Sequence, residues 1–210
     1  MSEGTAAGAT RLLVVRHGRT AWNAQGLIQG HRDIGLDDAG LRQADALADA
    51  LADAGVQAIY TSDLLRAQQT AAPLAARVGL PLRPDAGLRE RAFGDFEGLS
   101  FADVDECWPE QAARWRARDP AFGAPGGETL RQFHARAVPA ALRLARAHAG
   151  EQIVLVTHGG VLDLLYREAT GQPLEAPRSW PLANAGINRL LHADQGLRLV
   201  GWGDVGHLGG

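Results

Sequence analysis

A single cysteine, Cys107, leaves the chain no partner for an internal disulfide and suits a reducing compartment. No apolar run approaches the roughly 18 residues that a membrane span needs. Residues 1–10 are small and polar, without the apolar core of a signal peptide. Cations are not in excess either. The net charge is −3 and the pI near 6.1, which argues against nucleic acid or an anionic membrane as a partner. His-Glu-x-x-His and Cys-x-x-Cys are both missing, and so is the Gly-x-x-x-x-Gly-Lys-Ser/Thr loop of nucleotide triphosphate hydrolases. The expectation is a cytoplasmic protein with no membrane and no nucleic acid among its partners. Its 210 residues suit a flexible tail at 1–10 and one domain at 11–210.

What is present alternates between two periods. The run Leu12–Val15 reads as a buried strand, and 38–54 carries Leu41, Ala44, Leu47, Ala48 and Leu51 at helical spacing, with Gly55 as a stop. A strand at 56–60, a helix at 64–77 and an edge strand at 80–83 follow. Residues 85–127 break the rhythm with glycines, prolines and aromatics, and predict a loop and a small helical insertion, about 99–127, lying as a lid over one end of the sheet. A helix over 128–149 is expected to kink or divide at Pro139. A strand at 153–156, a helix at 161–170 and two closing strands, 187–192 and 197–202, end the chain. Alternation of this kind predicts an α/β fold, a three-layer α/β/α sandwich around a mainly parallel sheet.

Two strands end alike. Val14-Val15 runs into Arg16-His17-Gly18, and Leu155-Val156 into Thr157-His158-Gly159-Gly160. Ligands of open α/β sheets bind at the carboxyl ends of the strands, so both histidines are delivered to one region. Arg16 presents a planar fork of donors suited to phosphate oxygens. Gly18 is expected to let a ligand approach the backbone, and Thr20 and Asn23 add short polar groups. A neutral imidazole there can attack phosphorus and carry the phosphoryl group covalently, which makes His17 the candidate nucleophile. Arg66 lies one turn into a helix that starts at a neighbouring strand end, within reach of the same pocket. His158 is a candidate donor to the transferring group. A carboxylic acid beside a bound dianion holds its proton more tightly and can pass it to a leaving oxygen. Glu90 is the candidate, with Asp95 and Glu97 as weaker ones. His31 and His207 are placed at the rim, and His134, His148 and His192 have ordinary structural readings.

A metal site competes for paired histidines, but the arginines beside them would repel a cation, and no third ligand is evident. The reading is therefore metal-free and cofactor-free, with a small phosphorylated molecule as the partner. A homodimer leaves no readable signal but is compatible with an exposed edge strand.

Taken in order, these segments resemble the histidine phosphatase superfamily, which includes cofactor-dependent phosphoglycerate mutase. The resemblance runs from Leu12 to about Leu208. It rests on Arg16-His17-Gly18 with Thr20, Trp22 and Asn23, and on Ser62-Asp63-Leu64-x-Arg66-Ala67-x-x-Thr70. Leu88-x-Glu90-x-x-Phe93-Gly94-x-x-Glu97-Gly98 and Thr157-His158-Gly159-Gly160 complete it. It implies that His17 becomes phosphohistidine, that Arg16, Arg66 and His158 form the phosphate pocket with Asn23, and that Glu90 is the acid. Thr20 and Gly159 join these as substrate-binding candidates. Arg19 departs from the usual acidic or amide residue; it either points to solvent, the favoured reading, or adds a cation that attracts a multiply charged substrate. The compact insertion and Pro125-Gly126-Gly127-Glu128-Thr129 look like the small phosphatase branch. Mutase-type transfer is the alternative, and a non-catalytic phosphate-binding module is a third. Trp22, Trp108, Trp115 and Phe122 are candidates for the substrate mouth. Neutral His17, cationic His158 and protonated Glu90 would give a bell-shaped pH profile.

Overall fold

The computed structural model describes residues 8–209. The first seven residues of the predicted tail lie outside them, and Thr10 already opens the first strand, where it is buried. Six strands form one sheet: β1 (Thr10–Arg16), β2 (Ala58–Thr61), β3 (Leu82–Pro84), β4 (Gln152–Thr157), β5 (Ile187–Ala193) and β6 (Gly196–Asp204). Their order across the sheet is β3-β2-β4-β1-β5-β6. The first four run parallel, and β5 turns antiparallel against β1 to form a closing hairpin with β6.

Seven α-helices accompany them: α1 (Ala21–Gln25), α2 (Asp38–Leu51), α3 (Leu65–Val78), α4 (Phe101–Cys107), α5 (Pro109–Arg116), α6 (Leu130–Arg146) and α7 (Gly159–Thr170). The period of two in the central strands decides which layer each residue feeds. Leu12, Val14, Ile153 and Leu155 point to one face and pack with α6 and α7. Leu13, Val15, Val154 and Val156 point to the other and pack with α2 and α3. Both faces are covered, so these strands read as continuous apolar runs and not as an alternation.

Residues 85–127 form a third small core. Phe96, Val104, Ala112, Phe122 and Ala124 bury against Ile28, with Trp108 and Trp115 packed around them. The lid is therefore a miniature folded unit and not a loose loop.

Several boundaries differ from the sequence reading. α6 runs unbroken through Pro139, as α3 does through Pro73. α6 is held by apolar contacts along a whole face (Phe133, Ala137, Ala141, Leu144), which outweigh the loss of one backbone bond. α7 begins at Gly159, not at Val161, so His158 is its N-cap. The short helix α1, capped reciprocally by Thr20 and Asn23, has no apolar periodicity and was not expected.

Candidate active site

The parallel pairing of β1 with β4 sets Arg16 opposite Thr157, and the His17 N–H donates to the Thr157 carbonyl at 2.8 Å. His17 and His158 therefore leave neighbouring strands at the same level. Their rings stand 5.2 Å apart, tilted by 56°. His17 Nδ1 lies 2.8 Å from the Gly18 carbonyl oxygen. A carbonyl only accepts, so Nδ1 carries the ring proton and Nε2 keeps its lone pair.

Three further groups fix this loop. The Gly18 N–H donates to Thr70 Oγ1 at 2.9 Å, and that hydroxyl donates to the Arg66 carbonyl at 2.7 Å. Asn184 Nδ2 donates to the His17 carbonyl at 2.9 Å and reaches the Gly18 carbonyl at 3.3 Å. Gly18 serves a purpose other than the expected one. A Cβ there would stand 2.7 Å from the Gly40 carbonyl oxygen, so the missing side chain admits α2 and not a ligand.

Arg66, fully buried on the first turn of α3, is aimed by the carbonyls of Gly30 and Arg32, each 2.8 Å away. Arg16 gives Nη1 to the Leu182 carbonyl at 2.5 Å. Arg16 Nε, Arg66 Nε and both ring nitrogens of His158 are buried and have no hydrogen-bond partner among the described residues. Each such orphan costs about 1–3 kcal/mol, so their gathering at one point marks a site built for an oxygen-rich ligand.

The electrostatics agree. Burial, then the Arg16 and Arg66 charges, hold the His17 imidazole well below its usual pKa, so it stays neutral. Arg66 is itself lowered to about 10 by burial, partly offset by Glu90, and remains cationic near neutrality. His158 departs from expectation. Burial and the nearby Arg66, His17 and Arg16 push it well below its usual range, so the protein's own groups favour the neutral ring. Only an anion set against it acts in the opposite direction.

Glu90 sits across from these groups. Its Oε2 accepts from the Gly160 N–H and Oε1 from the Arg91 N–H, both at 2.9 Å. A Cβ on Gly160 would collide with that carboxylate. The Glu90 carbonyl accepts from His31 Nε2 at 2.8 Å, so His31 braces the acid's backbone. Glu97 takes the amides of His31 (2.9 Å) and Phe93 (3.0 Å), and so joins the loop that aims Arg66 to the loop that bears Glu90. It is a positioning carboxylate, whereas Asp95 is exposed.

Two cavities meet here. The smaller, about 230 Å³, is lined by Arg16, His17, Asn23, Arg66 and Glu90, together with Gln29. The larger, about 690 Å³, shares Arg16 and Glu90 and opens beneath the lid, with Gly159 on its wall. Thr20 does not reach either wall. Its hydroxyl is committed to Asn23 in the helix cap. Arg19 bonds Asp37 at 2.8 Å on the surface, and His207 bonds the Ala185 carbonyl at 3.1 Å. Among the aromatics, Trp115 lines both cavities with Phe93 and Phe101. Trp108 and Phe122 belong to the lid core, and Trp22 packs on Gly98.

Thr70, Asn184 and Gln29 escaped the sequence reading as site residues. Thr70 closes the Ser62-Asp63-Leu64-x-Arg66-Ala67-x-x-Thr70 segment, and that position was the available signal. Asn184 and Gln29 sit in irregular loops with none. Among the described residues, no three His, Cys, Asp or Glu side chains gather as a metal site.

A neutral histidine with a free Nε2, flanked by two buried arginines, a second histidine and an anchored glutamate at the strand ends, defines a phosphoryl-transfer site. The chain belongs to the histidine phosphatase superfamily, branch 1, whose sequence model matches residues 12–205. It is 39% identical over 202 residues to phosphoglycerate mutase-like protein 4 of Arabidopsis thaliana, covering 94% of this chain and 86% of that one. It is 37% identical over 204 residues to the metal-independent phosphoserine phosphatase of the same plant, covering 95% and 83%. The structure of a mycobacterial glucosyl-3-phosphoglycerate phosphatase superposes with a TM-score of 0.82 at 31% identity, covering 94% of this chain and all of that one.

Proposed function

We propose that this protein hydrolyses phosphomonoesters of small metabolites through a phosphohistidine at His17, without a metal. The observation that carries this reading is the tautomer of His17. Its Nδ1–H is held by the Gly18 carbonyl, so Nε2 faces the smaller cavity with a free lone pair. The substrate's phosphoryl oxygens bind Arg16, Arg66 and His158, whose unpartnered donors supply the hydrogen bonds. Asn23 closes one side.

Nε2 then attacks phosphorus, an N–P bond forms and the P–O bond to the alcohol breaks. Glu90 gives its proton to the departing oxygen. In the second half, water attacks the phosphohistidine, Glu90 takes the water's proton, and inorganic phosphate and free His17 are released. His158 is the group whose protonation the dianion promotes, which places its charge where the equatorial oxygens develop theirs.

The test is phosphate release from a panel of sugar phosphates, phosphoglycerate, a mononucleotide and an aryl phosphate, with chelator present. Release that survives chelator and is lost in His17→Ala, together with an acid-labile phosphate on the His17 peptide, is the expected result. A phosphorylated His17 that moves phosphate between phosphoglycerates without releasing it would establish the mutase reading instead. Retained phosphate affinity with no turnover in the parent protein would establish the binding module.

Two finer expectations remain proposals. A reducing, cytoplasmic setting is supported by exposed, unpaired Cys107. A homodimer is supported by the nine-residue edge strand β6 and is checked by light scattering.

A further inference from the structure

A general acid must be held in place, yet the loop that carries Glu90 has no strand or helix ladder beyond a single short turn at Ala86–Leu88. Its carbonyls are satisfied one after another by side chains from other elements. Thr157 Oγ1 donates to the Leu88 carbonyl at 2.7 Å, and His31 Nε2 to that of Glu90 at 2.8 Å. One residue takes the rest. Arg136, on α6, gives Nη1 to the carbonyls of Gly87 and Arg89, both at 3.1 Å, and to that of Ala86 at 3.4 Å. Its Nη2 donates to the Glu90 carbonyl at 2.9 Å.

Glu128 fixes the same guanidinium from another edge. Nε donates to Oε1 at 2.8 Å and Nη2 to Oε2 at 2.7 Å. Oε2 also accepts the Ala92 N–H at 2.9 Å, and the Glu128 N–H donates to the Ala92 carbonyl at 2.9 Å. The pair therefore grips the chain on both sides of residue 90 and ties it to the segment where the lid ends. α6 comes this close because residue 87 is glycine. A Cβ there would stand 2.5 Å from the Ala140 Cβ, one turn along from Arg136.

The two side chains are 26% and 21% exposed, and an ion pair so open to water adds little to stability. Neither lines either cavity, so whatever they do for the reaction passes through Glu90. A planar fork with donors on three nitrogens can span a carboxylate and four carbonyls, which a single ammonium cannot.

We infer that Arg136, set by Glu128, is a positioning residue for the general acid: it fixes the backbone of 86–90 so that the Glu90 carboxyl meets the departing oxygen. The inference rests on Glu90 being the acid of the phosphatase cycle.

Three esters of graded leaving group test it: 2,4-dinitrophenyl, phenyl and ethyl phosphate, compared by kcat/KM, which reports the steps up to departure of the alcohol. Dinitrophenolate leaves without a proton and ethoxide does not, so a misplaced acid shows in the ratio between esters. In Arg136→Gln, ethyl phosphate should lose about 100-fold and 2,4-dinitrophenyl phosphate no more than about threefold, the latter showing an intact His17 site. Arg136→Lys keeps the charge beside Glu128 but carries its donors on one nitrogen, and should lose about tenfold on ethyl phosphate; it decides the matter if Arg136→Gln does not fold. Glu90→Gln should reproduce the ratio of Arg136→Gln, and the double variant should lose little more, as residues acting as a unit do. Equal loss on all three esters in a variant that still melts cooperatively, or no loss on ethyl phosphate, overturns the inference. Unfolding of both Arg136 variants would make the pair structural and overturns it too. In each case the phosphatase reading stands if Glu90→Gln keeps its leaving-group dependence. A Glu90→Gln loss that is the same for every ester overturns the assignment of the acid, and the inference with it.

Discussion

At the scale of single residues, His17 and His158 are held neutral by the same surroundings that prepare them for phosphate. Both have pKa values well below the ordinary 6.5, so between that value and the folded one the unfolded chain binds more protons. Stability therefore rises with pH through that window and is lost as the pH falls below about 6.5, at up to about 1.4 kcal/mol per pH unit for each histidine. A thermal midpoint measured from pH 7.5 to 5 should fall, and His158→Gln should flatten the slope. An unchanged slope in that variant would mean the ring is not held neutral. Asn184 makes a second case. It touches the carbonyls that fix the His17 loop, so Asn184→Ala should lower kcat by about tenfold, since small displacements from an aligned geometry are costly. A change confined to KM would count against that role.

At the scale of elements, the α7 N-terminus shows why adjacent glycines differ. A Cβ on Gly160 collides with Glu90, whereas one on Gly159 meets Arg16 Nε at 3.5 Å, an ordinary contact. If Glu90 is the general acid proposed above, Gly160→Ala should cost about 100-fold in kcat, the usual worth of such a group, and Gly159→Ala far less. Steady-state kinetics on both proteins decides this. Much of the arrangement was legible in the sequence for a physical reason: buried parallel strands are short apolar runs, and a polar Arg-His-Gly at the end of one has no packing role to hide behind. The same logic reached Arg66 through the helix that follows the strand at 56–60, although Leu64 is its N-cap and neither Ser62 nor Asp63 caps it with a side chain as their residue types suggested. It failed at α1, too short for a period, and at the division allowed for at Pro139, where apolar contacts along one face keep α6 continuous. It also failed at Asn184, whose loop carries no pattern and acquires meaning only where its side chain meets the His17 and Gly18 carbonyls.

At the scale of the whole molecule, every one of the 21 cationic side chains is an arginine and none is a lysine. Arginine keeps its charge even where burial lowers its pKa, as at Arg66 and Arg91, both near 10. The binding surface thus holds its sign across the physiological range, and acylating reagents aimed at lysine have no side chain to attack. The pairing of β1 with β4 has a temporal consequence as well. These neighbours in the sheet lie some 140 residues apart along the chain, as in Arg11 against Gln152. A growing polypeptide therefore carries His17, the proposed nucleophile, some 140 residues ahead of the strand that it pairs with. The two histidines can meet only after the chain has been made as far as β4, so the site is assembled by a contact of long sequence separation and not by local structure.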